Sequence, residues 1–175
     1  MKKLLNKSFT DHLSQSCSYK TYEPLLPLIE GINFINASLL HANGIATIDK
    51  IYIDIDKILR SYDERKLIHI ILHELAHYYR IQRKGKEWYY NYVLHTDKNE
   101  YVEQTIFEEN FADRWATLKY NELYNDNLSV EYRDFSDGMF LRTMIEGTYN
   151  HLRGNVENEI ELEEATKRYI LDVRQ

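Results

Sequence analysis

The sequence is poor in cysteine, proline, glycine and long apolar runs, and each shortage excludes a class of protein. The single cysteine, Cys17, cannot form an intramolecular disulfide or build a zinc site on several thiolates. Two prolines and six glycines among 175 residues do not indicate a disordered or fibrous chain. No apolar run is long enough for a membrane span or a signal-peptide core, so we expect a cytoplasmic protein without a membrane partner.

Basic residues are also in the minority. The sequence has 22 lysine and arginine residues against 28 aspartate and glutamate residues, which gives a formal net charge of -6. A protein that binds the phosphate backbone needs a basic surface to displace counterions. The charge therefore predicts that nucleic acid is not a partner.

The composition is typical of one helix-rich globular domain. Hydrophobic residues make up 43% of the chain and charged residues 29%. No repeat, low-complexity tract or linker divides the sequence. We therefore expect a single domain over residues 1–175, with a core at about 22–153 and a C-terminal helix at about 156–174.

The first half of the chain predicts one small sheet. Residues 22–42 are mostly apolar and predict a helix, and Asn43-Gly44 then marks a turn. Isoleucines at 51, 53 and 55 alternate with Tyr and Asp, which predicts a half-buried strand paired with residues 45–48 as a short hairpin. Together with the helices that follow, this strand predicts an α+β fold.

A long helix is predicted directly after the strand. Ser61 and Glu64 have the spacing of a capping box, so the helix should begin near Tyr62. Gly85 is a natural C-cap and should end it. Residues 86–96 are few and strongly aromatic, and they predict a loop or an irregular strand.

A second long helical pattern begins at Asp97. Its predicted apolar face is Val102, Ile106, Phe107, Phe111, Trp115 and Leu118. Two more helices are predicted near residues 137–152 and 156–173. The chain is therefore expected to be mostly helical.

The stretch ILHELAHYYR, residues 71–80, lies within the first long helix. Residues four apart share one face of a helix, so His73 and His77 can both present a ring nitrogen to one metal ion. Glu74 can reach a water on that ion without being a ligand, the arrangement expected of a zinc peptidase with a glutamate general base. His69 continues the spacing, but about 12 Å separates it from His77, so we assign it to packing or to support of a ligand.

The second long helix offers a third ligand in EENFADRWA, residues 108–116. Glu109 is the preferred candidate, because Asp113 lies one turn further on the same face and could accept the free N–H of a ligand histidine. Glu108 is the alternative, although Ala112 occupies the corresponding position one turn on. Two histidines and one glutamate leave a fourth position open for water, as in catalytic zinc sites.

These residues resemble the zincin-like metallopeptidases of the gluzincin group. The matching elements are His-Glu-x-x-His at 73–77 and Glu-Asn-Phe-Ala-Asp at 109–113, and their separation is most similar to the compact minigluzincins and to ImmA/IrrE-type domains. The resemblance covers about residues 44–116. It implies one zinc ion per chain, held by His73, His77 and Glu109, with Asp113 orienting a ligand histidine.

The resemblance also implies how a peptide or protein substrate binds. A small twisted sheet should precede the active-site helix, and its edge strand, at 44–48 or 52–56, would pair with an extended peptide. The group also uses a His or Tyr beyond the third ligand to stabilise the transition state. No element here matches it, and His95, Tyr149 and His151 are candidates by residue type alone.

Three functions are consistent with these features. The first is a zinc-dependent peptidase with Glu74 as general base, for which a bacterial or phage origin is expected. The second is a weak or inactive zinc-binding module for regulation or assembly, which would need the three ligands but not Glu74. The third is a latent peptidase covered by the C-terminal helix at 156–175. The presence of Glu74 favours an enzyme.

Overall fold

In the computed structural model of the chain, residues 7–39, 42–94 and 97–129 are described, and they form an α+β fold with one three-stranded sheet. The predicted fold class is confirmed. In chain order, the elements are α1 (Lys7–Ser16), α2 (Tyr19–Tyr22), a 3-10 turn (Glu23–Leu25), α3 (Leu26–Ile29), β1 (Phe34–Asn36), β2 (Gly44–Ala46), β3 (Ile51–Ile53), α4 (Ile55–Ser61), α5 (Glu64–Lys84), α6 (Lys86–Leu94) and α7 (Lys98–Tyr124).

The sheet is mixed and has the order β1-β3-β2. β1 runs parallel to β3, and β2 runs antiparallel to it, which confirms the predicted hairpin. β3 is therefore central, so the proposal that residues 52–56 form the sheet edge is wrong. β2, within the alternative range 44–48, is the edge strand beside α5.

The strand at 51–55 differs from the prediction in burial and in length. Ile51 and Ile53 are fully buried on one face, and Tyr52 is buried on the other, so β3 is not half-exposed. Ile55 already belongs to α4. Asp54 ends the strand, because its carboxylate caps the new helix by accepting the Lys57 N–H at 2.9 Å.

The predicted helix over 22–42 is also wrong. The chain there forms short helical turns and then β1. Pro24 and Pro27 lie in the first turns of two successive short elements, since neither proline can donate a backbone hydrogen bond within a longer helix. Gly31 then adopts a φ of +80°, which reverses the chain into the strand.

Helix α5 begins later than the capping box predicts. Ser61 is the last residue of α4, and the N-cap of α5 is Asp63, which accepts the Lys66 N–H at 2.9 Å. The predicted end is confirmed, because Gly85 caps the helix with a φ of +92°.

The aromatic segment after Gly85 is the helix α6 rather than a loop or a strand. Helical spacing places Trp88 and Tyr92 one turn apart, and their rings stack with centroids 5.5 Å apart. Tyr92 in turn stacks on Tyr101 of α7. The aromatic residues therefore stabilise a helix by local contacts that composition alone does not reveal.

Helix α7 begins after the N-cap Asp97, as predicted, but its buried face is different. Val102 and Ile106 are buried, whereas Phe107 and Leu118 are 59% and 52% exposed. The face towards α5 instead carries small and polar residues, and its buried members include Ala112, Ala116 and Thr117. Small side chains allow two helices to approach closely.

Helices α5 and α7 pack antiparallel, and their polar contacts recur at each helical turn. His69 contacts Thr117, His73 contacts Asp113, and His77 contacts Glu109. We call these contacts the three rungs. The four-residue spacing on α5 is thus matched by a four-residue spacing on α7.

The remaining predictions concern residues that lie outside the described ranges. These predictions are the two helices near 137–152 and 156–174, the extent of the domain, and the latent peptidase that the C-terminal helix would cover. Within residues 7–39, 42–94 and 97–129, no helix is both long enough and apolar enough to cross a membrane.

Candidate metal centre

The structure brings the three predicted ligands together. The Nε2 atoms of His73 and His77 lie 3.0 Å apart. The Oε2 atom of Glu109 lies 3.3 Å from the His73 Nε2, and its Oε1 atom lies 3.3 Å from the His77 Nε2. Ligand atoms about 2.0 to 2.1 Å from a tetrahedral ion are about 3.3 Å apart, so these spacings fit one metal ion.

Two helices hold this group, and it lies partly below the surface. On α5 the imidazoles of His73 and His77 meet edge to face, with ring centroids 4.7 Å apart. Glu109 reaches them from α7 and is one-quarter exposed, while the His73 side chain is one-tenth exposed. The three residues form a group that could hold a metal ion. The identity of the ion as zinc stays a prediction.

Asp113 lies where the sequence predicted, on the far side of His73 from the other ligands. Its Oδ1 accepts the His73 Nδ1–H at 2.6 Å. This hydrogen bond fixes the tautomer of His73 and leaves Nε2 facing the metal position.

Replacement of Asp113 by alanine is expected to weaken zinc binding by about 10- to 100-fold, because the His73 ring loses the contact that orients it. Competition with a chromophoric chelator measures the change. Glu122→Ala is the matched control, since it removes the same charge from an exposed position on the same helix. Equal zinc affinities for the two variants would contradict the orienting role.

Glu108, the alternative third ligand, has a different partner. Its carboxylate accepts three hydrogen bonds from Arg80, at 3.0 to 3.2 Å, and its side chain is only 8% exposed. The Arg80 guanidinium also lies 5.1 Å from the centroid of the Phe111 ring. The preference for Glu109 over Glu108 is therefore supported by the geometry.

His69 lies one helical turn before His73 and is not part of the group of three ligands. Its Nε2 lies 3.0 Å from the Thr117 hydroxyl, and that hydroxyl donates to the Asp113 carbonyl oxygen at 2.9 Å. The interpretation of His69 as packing or ligand support agrees with these contacts. Thr117 was not singled out from the sequence, although its position four residues after Asp113 repeats the spacing of the rungs.

Glu74 is buried between the histidines and the sheet. It is 7% exposed, and its carboxylate lies near the Ala46 backbone amide of β2, which favours the ionised form. Burial raises the pKa of Glu74 above its ordinary value, and the attraction of His73 and His77 opposes that rise. Proton affinity above that of an ordinary carboxylate suits a general base. Glu74 also contacts Gly44 of β2, and the sequence does not predict this contact.

The protonation of His73 depends on its carboxylate neighbours. Burial disfavours the charged form, but hydrogen bonds to Asp113 and Glu109 outweigh burial and raise the pKa of His73 to about 10. Burial likewise opposes ionisation of Glu109, yet hydrogen bonds from both histidines hold its pKa well below the ordinary value. A metal ion must displace the His73 proton, because a ligand histidine is neutral.

The metal-free protein is expected to lose stability as the pH rises from about 6.5 towards 10. An ordinary histidine titrates at 6.5, so the raised pKa of His73 stabilises the fold fully below that pH and progressively less above it. Thermal unfolding in chelator across this range measures the effect, and His73→Gln should show a shallower decline. Equal slopes for the two proteins would contradict the assignment.

The candidates for transition-state stabilisation, His95, Tyr149 and His151, lie outside the described residues.

Comparison with protein-family models, curated proteins and solved structures found no match for this chain. The residues and geometry of the centre are therefore the basis for the function proposed below.

Proposed function

We propose that this chain is a zinc-dependent metallopeptidase of the zincin-like, gluzincin type. The observation that carries the proposal is the near-tetrahedral spacing of His73, His77 and Glu109, with Glu74 buried beside them. The sequence resemblance to the gluzincin group supports the same residues in the same roles. The donor set, two imidazoles and one carboxylate, is one that catalytic zinc sites use.

In the proposed peptide hydrolysis, residues of the chain have separate roles. When bound, zinc supplies a Lewis acid that polarises a carbonyl oxygen and lowers the pKa of water. Glu74 accepts a proton from the attacking water and delivers it to the nitrogen of the departing amine. Asp113 keeps the His73 ring in the orientation that binding needs, through the 2.6 Å hydrogen bond to Nδ1.

The substrate class that fits this proposal is an extended peptide. β2 is the edge of the sheet next to α5, and the buried Glu74 lies against it. An extended chain can add to a sheet edge by main-chain hydrogen bonds, which recognise the backbone more than the side chains. We therefore expect broad sequence tolerance, with limits set by pockets around the centre.

The test is digestion of a peptide library by the full-length, zinc-loaded protein, followed by mass spectrometry of the products. We expect internal cleavages that stop when zinc is removed by a chelator and return when zinc is restored. One zinc per chain with no cleavage of any peptide would overturn the peptidase and favour the zinc-binding module. Absence of bound zinc after reconstitution would overturn both.

A further inference from the structure

The edge strand β2 presents the backbone amides of Gly44 and Ala46 away from its neighbour, β3. The Thr47 N–H donates to the Lys50 carbonyl oxygen at 2.8 Å, and the Asp54 N–H donates to the Asn43 carbonyl oxygen at 3.0 Å. Along a strand of an antiparallel pair, successive residues point their backbone N–H and C=O groups alternately towards the partner strand and away from it. The Ala46 amide therefore lies on the open edge of the sheet, where it meets the Glu74 carboxylate.

Gly44 lies on the same face of β2 as Ala46 and is in close contact with Glu74. A Cβ atom at position 44 would be 2.6 Å from the Glu74 Cγ and 3.1 Å from its Cδ. The same atom would be 3.0 Å from the Ile53 Cδ1. Cγ is near the root of the glutamate side chain, so Glu74 cannot avoid a methyl group by moving its tip alone. Only glycine leaves room for Glu74 in its present position.

We infer that Gly44 and the Ala46 amide are positioning residues for Glu74, which together hold its carboxylate beside the histidine pair. Gly44 fixes where the stem of the side chain lies, and the Ala46 N–H fixes the carboxylate. A glutamate side chain has three rotatable bonds, so these contacts reduce the number of conformers that Glu74 can adopt. The catalytic meaning of this inference rests on the proposed peptidase function, but the contact itself can be tested without activity.

A double-mutant cycle on thermal stability tests the contact. Gly44→Ala is expected to lower the melting temperature by several degrees in the wild-type protein, because its methyl group meets the Glu74 stem. In a Glu74→Ala background that stem is gone, and the same substitution should cost clearly less, with only the Ile53 contact remaining. Equal losses in the two backgrounds would overturn the inference.

Peptide hydrolysis and zinc content test the positioning role. Gly44→Ala should keep one zinc per chain, lower kcat by about 10- to 100-fold and change KM little, because displacement of a catalytic group costs rate more than binding. Gly31→Ala is the matched control. It strains a residue with a φ of +80° and has nothing within 4 Å of the added methyl group, so it should lower stability and leave kcat unchanged.

The outcomes separate the inference from the function on which it rests. An unchanged kcat for Gly44→Ala, or an equal loss of kcat in Gly31→Ala, would overturn the positioning role while leaving the peptidase intact. If the wild-type protein binds zinc but cleaves no peptide, the peptidase proposal fails. The stability cycle then still decides whether Gly44 and Glu74 are coupled.

Discussion

Replacement of Glu109 by alanine is expected to lower the affinity for zinc by more than about 100-fold. Loss of a residue that only orients a ligand costs about 10- to 100-fold, and loss of a ligand removes a metal bond as well. The two remaining histidines cannot complete a three-residue site, and Glu108 is already engaged by Arg80. Native mass spectrometry and chelator competition on the purified protein measure the change.

Glu108→Ala is the matched control for this experiment. It removes the same side chain from the neighbouring position, and it leaves Arg80 without its carboxylate partner. We therefore expect a lower melting temperature with one zinc still bound per chain. Loss of zinc from the Glu108 variant together with its retention in the Glu109 variant would reverse the ligand assignment.

Replacement of Glu74 by glutamine should lower peptide hydrolysis by about 100- to 10,000-fold while zinc remains bound. A general base contributes about this much to the rate, and an amide of the same shape cannot accept a proton from water. Glutamine also preserves the stem that contacts Gly44, so the strand should keep its position. Single-turnover assays with a cleaved library peptide measure the rate, and metal analysis confirms loading.

Glu103→Gln serves as the control for the charge change, since Glu103 is exposed on α7. This variant should hydrolyse peptide at the wild-type rate. A Glu74→Gln protein that binds zinc and cleaves as fast as wild type would rule out the general-base role. In that event another group must accept the proton, and the contact between Glu74 and Ala46 would be structural.

The candidate centre could be predicted from the sequence because its constraints are local to two helices. Four-residue spacing alone places His73 beside His77, and it places Asp113 one turn beyond Glu109. The same spacing favours Glu109 over Glu108, and the ion pair of Glu108 with Arg80 supports this preference. Helical periodicity therefore carried most of the information about the site.

The parts of the fold that were predicted wrongly depend on contacts distant in sequence or on competing caps. β1 has its partner in β3, which follows only after β2, so no local pattern reveals the pairing. The isoleucine alternation continues past the strand because Ile55 is buried in α4 as well. Two capping residues lay close together before α5, and Asp63 rather than Ser61 makes the hydrogen bond.

The role of Gly44 was hidden for a related reason. Its sequence context, Asn43-Gly44, is typical of a turn, but Gly44 is the first residue of β2, and the hairpin reverses at residues 47–50 instead. The requirement for glycine comes instead from Glu74, which is 30 positions further along the chain. A contact between a strand and a later helix is specified only by the tertiary fold.

The antiparallel rungs between α5 and α7 have a consequence for the lifetime of the folded protein. An ion bound by His73, His77 and Glu109 would join the two helices as a cross-link, closing a loop between positions 77 and 109. Such a cross-link restricts the conformations open to the unfolded chain. The two helices also cannot separate until a metal bond breaks. The unfolding rate of the loaded protein would then follow the departure of the ion rather than fraying of the helix ends.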